Sequence, residues 1–382
     1  MMQVPFQNIR ITHEEFLREY FRDLQKMFQS DTPDFIGSNS PTVQEFEQAM
    51  AKYLGVKHAF GLNSGTDALL LALDALGVGH GDEVILPAFG FIATADVILR
   101  LHAKPVFVDI LPDTFNINPE AVEAAITPAT KAIIPVDLFG QAADMGRIMA
   151  IAEKHGLAVL EDVAQATGAT WEGKKLGSIG SFGAFSFYPT KNLGGCGDGG
   201  MVTTNDDALA EKIRLFRDHG RGPGGFEIIG YNSRLDPIQA RYLSYKLPDL
   251  DDSLLDRIDN ARLYNKLFED SELTTPAISE DDDEGNMTHS FNLYTVQVRD
   301  RDRLRRYLSE KGIGSAVYYD VVMPLTPALA HLGHKAGEFP ESEKACKSVV
   351  SLPVWPGLKR KQIELVAEEV NNFLDNNIAL KR

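Results

Sequence analysis

The spacing of apolar and polar positions changes character along the chain. Val43, Phe46, Met50 and Leu54 recur at helical intervals, and Thr42-Val43-Gln44-Glu45 spells a capping box, which predicts a helix over 42–54. From there to about residue 205, short apolar runs alternate with helix-like stretches. The runs are Glu83–Leu86, Pro105–Val108, Ala132–Val136, Leu157–Leu160 and Ala184–Phe187. Most lack internal alternation, as strands buried on both faces do. Helices are predicted at Ala68–Leu76, before the first run, and between later runs at Pro119–Ile126 and Met145–His155. This order predicts an α/β layer around a mostly parallel sheet. Residues 207–217 and 236–270 read as helical and charged, Glu280–Glu284 as an exposed acidic loop, Tyr294–Val298 as a strand, and Asp302–Lys311 and Lys361–Asn376 as helices. A boundary near residue 250 divides 1–250 from a smaller unit over 251–382.

Composition narrows the class. The chain has 382 residues, 44% hydrophobic and 24% charged, and its 38 basic and 54 acidic residues leave a net charge of −16. That balance disfavours non-specific nucleic-acid binding, which depends on neutralising phosphates. Two cysteines, Cys196 and Cys346, support neither a disulfide framework nor a multi-cysteine zinc site. No basic start followed by an apolar block opens Met1–Glu14, and no apolar run is long enough to span a bilayer. The expectation is a cytoplasmic protein with no membrane partner. The histidines form no metal motif, and His331 and His334 lack the companion residues of a helical zinc site.

Three segments carry candidate chemistry. Asn63-Ser64-Gly65-Thr66-Asp67 precedes an apolar helix, where free N–H groups attract an anion. A plain N-cap would use the same residues. Glu161-Asp162-Val163-Ala164-Gln165 ends a strand-like run, where a carboxylate can hold a protonated ring nitrogen or merely cap the next helix. Ser186-Phe187-Tyr188-Pro189-Thr190-Lys191 carries a lysine out of a strand into a glycine-rich loop. An amine among neutral neighbours loses its proton more readily and can form imines. Gly195-Cys196-Gly197-Asp198-Gly199-Gly200 matches a dinucleotide fingerprint in spelling, but a strand-like Met201–Thr204 follows where a helix is required. An anion cup, an acid at a strand end, then a serine and a lysine are together what pyridoxal phosphate needs.

With these blocks in view, the chain resembles the DegT/StrS-type nucleotide-sugar aminotransferases, within the aspartate-aminotransferase fold (fold type I). The resemblance runs from Val4-Pro5-Phe6 to the last helix. It also rests on Pro87–Thr94, Gly230–Asp236, Phe339–Glu343 and Ser351-Leu352-Pro353. It implies a large, mixed, mostly parallel sheet domain with helices on both faces, and a smaller α+β C-terminal domain. It implies pyridoxal 5′-phosphate as cofactor, with pyridoxamine 5′-phosphate as its amino form. Lys191 would bond the cofactor aldehyde, and Asp162 would pair with the ring nitrogen. Gln165 would lie near the ring hydroxyl and Phe91 on the ring face. Gly65, Thr66 and Ser186 would hold the phosphate, with Asn232 reaching it from a neighbouring subunit of a homodimer. Arg234 and Tyr318-Tyr319 would face the sugar nucleotide.

Relatives often have His-Tyr where this chain has Tyr318-Tyr319. Sugar dehydratases of the same fold have histidine in place of Lys191, so the lysine points to transamination. The block Phe187–Gly194 followed by Gly197–Gly200 is similar to members that aminate C3 of a 3-keto sugar. Members acting at C4 tend to carry a threonine-rich stretch and a glutamate after the lysine. The implied reaction moves an amino group from L-glutamate to a nucleotide-linked 3-keto sugar. The alternatives are C4 amination of a 4-keto-6-deoxy sugar, a non-catalytic amino-sugar sensor of the same fold, and an NAD-linked sugar oxidoreductase resting on the glycine spelling.

Overall fold

The computed structural model of the chain describes residues 3–9, 14–30, 34, 40–278 and 286–379. The acidic run Glu280–Glu284 lies outside them. Two helices lead in, α1 (Glu14–Gln29) and α2 (Pro41–Leu54). The alternating region follows as β1 (His58–Leu62), α3 (Gly65–Ala75), β2 (Glu83–Pro87), α4 (Ala93–Arg100), β3 (Lys104–Val108), α5 (Pro119–Ala125), β4 (Thr130–Ile133), α6 (Met145–His155) and β5 (Ala158–Asp162). A short hairpin, β6 (Thr170–Trp171) and β7 (Lys174–Lys175), precedes β8 (Phe182–Ser186), β9 (Gly200–Thr204) and α7 (Asp207–Phe216). A second hairpin, β10 (Arg221–Gly222) and β11 (Gly225–Phe226), leads to α8 (Pro237–Lys246) and α9 (Leu250–Leu267). The remainder holds β12 (Tyr294–Gln297), α10 (Arg301–Glu310), α11 (Pro340–Ser348), β13 (Val349–Leu352) and α12 (Arg360–Ala379).

Seven strands form one sheet in the order β1-β9-β8-β5-β4-β2-β3. Only β9 runs antiparallel to its neighbours, β1 and β8. Side chains alternate across the sheet, so each strand feeds two cores. On β2, Val84 and Leu86 join one buried cluster and Ile85 the other. Burial on both faces is why these strands read as unbroken apolar runs. β12 and β13 pair antiparallel in a separate small sheet, and α12 packs on α9 and α10.

Several boundaries differ from the sequence expectations. The cap of α2 is Ser40, whose Oγ accepts the Val43 N–H at 3.4 Å; Pro41 occupies the first turn, so Thr42 lies inside the helix. α3 starts at Gly65 rather than Ala68, capped by Ser64. The helical stretch over 236–270 breaks at Leu247-Pro248-Asp249, where proline lacks the N–H a continuous helix uses. Ile134–Val136 lie beyond β4, although the Ile134 N–H still reaches the Ile85 carbonyl at 2.8 Å. Gly195–Gly200 leads into β9, a strand, as its context predicted. Among the described residues, no helix is long and apolar enough to cross a membrane, and no three His, Cys, Asp or Glu side chains converge as a metal site would need.

One buried ion pair ties the edge of the sheet to its helices. Arg217 Nη1 contacts Glu47 Oε1, which also accepts the Gly61 N–H at 2.7 Å. The guanidinium sits 5.1 Å from the centre of the Phe60 ring. Burial pushes the Glu47 carboxyl up, and Arg217 pulls it back. Glu47→Ala would leave a buried cation and a strand N–H unpaired. It is expected to cost about 3–5 kcal/mol, read as a lower midpoint of denaturant unfolding.

Candidate active site

The carboxyl ends of β1, β5 and β8 meet along one edge of the sheet, where open α/β sheets leave a crevice. β1 ends at Leu62 and passes through Asn63 and Ser64 into α3, β5 ends at Asp162, and β8 ends at Ser186. β9 runs back between β1 and β8, and its first residue, Gly200, stands opposite both Leu62 and Ser186. A β-carbon on Gly200 would lie 2.2 Å from the Ser64 carbonyl carbon, and one on Gly65 would lie 2.9 Å from Cβ of Ser186. Glycine at both positions lets the start of α3 close on the end of β8.

A cavity of about 530 Å³ opens at this junction. Gly65, Thr66 and Ser186 line one part of it, and Asp162, Gln165 and Lys191 another. Phe91, Tyr318 and Tyr319 complete the aromatic wall. Asn232 and Arg234 are not in its lining. Asn232 is exposed and accepts a hydrogen bond from Asn63 Nδ2 at 3.4 Å through its carbonyl, while Arg234 Nη1 pairs with Asp218 Oδ1 at 2.6 Å.

Each chemical group is held by the local fold. The Asp162 carboxylate accepts the Ala164 N–H at 3.1 Å, which fixes it at the strand end. Gln165 Oε1 accepts the Phe139 N–H at 2.8 Å, leaving Nε2 to donate to the Tyr319 hydroxyl at 3.1 Å. Tyr319 packs near Phe89 and Phe91, at centroid distances of 6.1 and 6.2 Å. Phe91 is 58% exposed on the cavity wall. The Lys191 loop is tied at several points. The Lys191 N–H reaches the Tyr188 carbonyl at 2.8 Å, Asn292 Nδ2 reaches that of Thr190 at 3.2 Å, and the Gly195 N–H reaches that of Phe187 at 2.7 Å.

The lysine and the aspartate act on each other across the pocket. Burial pushes the Lys191 amine down to about 8, while Asp162 works in the opposite sense. Burial pushes Asp162 up to about 6, against the Ala164 N–H and the Lys191 charge. Near neutral pH, Asp162 is thus an anion, and a useful fraction of Lys191 is neutral amine. Raising the pH through about 8 deprotonates Lys191 well below the ordinary lysine range. The rate at which cofactor-free protein takes up pyridoxal phosphate, followed by absorbance, is expected to rise through that pH and level off above it. A rate that keeps climbing through about pH 9.5 without levelling would reject the lowered value.

The donor set fits that cofactor. Free N–H groups at a helix start and two hydroxyls suit a phosphate, an anionic carboxylate suits a ring nitrogen, and an amine with a lowered proton affinity suits an aldehyde. Sequence reasoning did not single out Gln7, Tyr188 or Asn292, which also line the cavity. Asn292 lies far from the quoted motifs and Gln7 just after Val4-Pro5-Phe6, with no local spelling to mark either, while Tyr188 sits inside the Ser186–Lys191 block. Gly200 belongs both to the glycine fingerprint that did not apply and to the block similar to C3-aminating members, and neither spelling marks its close approach to Ser64.

Comparison with known proteins identifies the family. Residues 18–371 match the DegT/DnrJ/EryC1/StrS aminotransferase family. A protein named pleiotropic regulatory protein, from Geobacillus stearothermophilus, is 47% identical over 97% of this chain and 99% of its own. The UDP-N-acetyl-3-dehydro-alpha-D-glucosamine 3-aminotransferase of Acidithiobacillus ferrooxidans is 41% identical over 97% of this chain and 98% of its own. The crystal structure of Streptomyces venezuelae DesV superposes with a TM-score of 0.91 at 38% identity, covering 98% of this chain and 99% of that one. Extended similarity in sequence and in fold therefore leads to one conclusion: the chain belongs to the DegT/DnrJ/EryC1/StrS aminotransferase family, whose aminotransferases depend on pyridoxal phosphate.

Proposed function

We propose that the chain is a sugar-nucleotide aminotransferase that moves the amino group of L-glutamate to C3 of a nucleotide-linked 3-keto sugar, giving a 3-amino sugar nucleotide and 2-oxoglutarate. The observation that carries this reading is the Lys191 amine and the Asp162 carboxylate lining one cavity at the glycine-lined start of α3. The 3-aminotransferase among the relatives supports C3, as does the block from Phe187 to Gly200.

When bound, pyridoxal phosphate supplies an aldehyde that takes up amines and a ring that draws off electrons. Gly65, Thr66 and Ser186 would hold its phosphate at the start of α3. Asp162 would keep a proton on the ring nitrogen, Gln165 would meet the ring hydroxyl, and Phe91 would cover a ring face. Lys191 Nζ would take a proton from the donor α-carbon in one half-reaction and deliver one to the sugar carbon in the other. One site serves both halves, so 2-oxoglutarate leaves before the keto sugar enters.

The proposed assembly is a homodimer in which Asn232 and Arg234 serve the neighbouring site, with Arg234 and Tyr318-Tyr319 facing the sugar nucleotide. Phe226 and Ile229, 72% and 92% exposed on and just beyond the β10–β11 hairpin, support a covering partner. The free thiols of Cys196 and Cys346 fit a reducing compartment, and the proposed location is the cytosol.

The test is glutamate-dependent turnover on a panel of enzymatically made 3-keto and 4-keto sugar nucleotides, with product regiochemistry read by NMR. A 3-amino product supports the proposal, and a 4-amino product moves the activity to C4. The regulatory name of one relative favours a second reading, a sensor that binds an amino sugar without turnover. Cofactor uptake with no amino transfer from glutamate to any panel member would favour it.

A further inference from the structure

A second cavity of about 500 Å³ adjoins the first and shares Gln7, Thr190, Lys191, Asn292 and Leu293 with it. Besides Lys191, two basic side chains among the described residues line it, Lys246 at the end of α8 and Arg257 on α9. Each spends a donor on backbone close to the active lysine. Lys246 Nζ reaches the Gly194 carbonyl at 2.7 Å, and Arg257 Nη1 reaches the Phe291 carbonyl at 3.1 Å. Arg257 is only 8% exposed, yet among the described residues neither cation forms an ion pair.

That arrangement is costly. A buried charge without a counter-charge loses its hydration and gains little in return. Burial and the neighbouring Arg257 push Lys246 down to about 8, and burial pushes Arg257 down to about 10. The chain has 54 acidic residues, so carboxylates are not in short supply. Among the described residues the one carboxylate in this lining, Asp249, is exposed and pairs with neither cation. Lys246 Nζ also lies 5.6 Å from the centre of the Tyr242 ring, and Trp355 closes another part of the wall. Two unpaired cations beside a cavity that reaches the active lysine have the chemistry of an oxyanion site.

We propose that this second cavity is an oxyanion subsite of the same active centre, where Lys246 and Arg257 receive either the carboxylate of the amino donor or the diphosphate of the sugar nucleotide. The proposal rests on the aminotransferase reading for its substrates, but its test does not require turnover. Glutarate, a five-carbon dicarboxylate with no amine to transfer, and UDP are titrated separately into the cofactor-loaded full chain by calorimetry. Lys246→Gln removes the charge but can still donate to Gly194, and it is expected to weaken one probe by about tenfold or more. Lys246→Arg keeps the charge and is expected to stay within about threefold of the parent. Arg257→Gln is the second variant, and the cofactor absorbance of each confirms a loaded protein.

Weakening confined to glutarate assigns the subsite to the donor, and weakening confined to UDP assigns it to the nucleotide. Binding of both probes that ignores Lys246 and Arg257 overturns the proposal, as does failure of the parent protein to bind either. Binding that depends on Lys246 in a protein without transaminase activity would count against the proposed reaction and not against the subsite.

Discussion

Lys191→Ala is expected to lower kcat by about a thousandfold or more and to yield protein that loses its yellow cofactor on dialysis. Alanine keeps the backbone that the Tyr188, Thr190 and Gly195 contacts hold, so the loop should survive. What disappears is, among the described residues, the one group in this wall that combines an amine with a lowered proton affinity. A primary alkylamine added at high concentration should restore part of the activity by standing in for the missing Nζ. The measurements are steady-state turnover and the absorbance of dialysed protein. Turnover within tenfold of the parent would remove Lys191 from its proposed role.

The second large effect is expected from Asp162→Asn. Asparagine matches the shape and can still accept the Ala164 N–H, but it carries no charge. A neutral amide cannot hold a proton on a ring nitrogen as a carboxylate does, so kcat should fall roughly a hundred- to thousandfold. Cofactor content and melting temperature should change little, which separates a lost charge from a lost fold. The parent enzyme should show the same dependence through pH. Asp162 takes up a proton as the pH falls through about 6, and activity should fall with it. A variant with full turnover and an unaltered acid limb would exclude Asp162 as the ring partner.

Legibility in the sequence followed distance along the chain. The strands from Glu83 to Phe187 were readable because double burial leaves each an unbroken apolar run. Helices with strong local signals were readable too, such as Met145–His155, which ends at Gly156 with φ 66. Where two signals competed, local spelling misled. Thr42–Glu45 reads as a capping box, yet Ser40 caps the helix because Pro41 fits its first turn. α4 and α11 were not anticipated, nor were the two short hairpins, whose strands span two residues each.

The sequence alone determined the α/β alternation and the order of the chemical groups: a glycine-bearing helix start, an acid at a strand end, a serine and then a lysine. Each is encoded within a few residues, by periodicity, capping and turn chemistry. Only the tertiary structure decided that these groups share a wall. That depends on β9 turning back between β1 and β8, and on Gly65 and Gly200 leaving room where a β-carbon would collide. It also decided the burial that lowers the affinity of Lys191 for its proton and raises that of Asp162, and it placed Lys246 and Arg257 beside the same lysine. The close approaches of Gly65 to Ser186 and of Gly200 to Ser64 join segments more than a hundred residues apart, and no local pattern records them or the desolvation of the pocket.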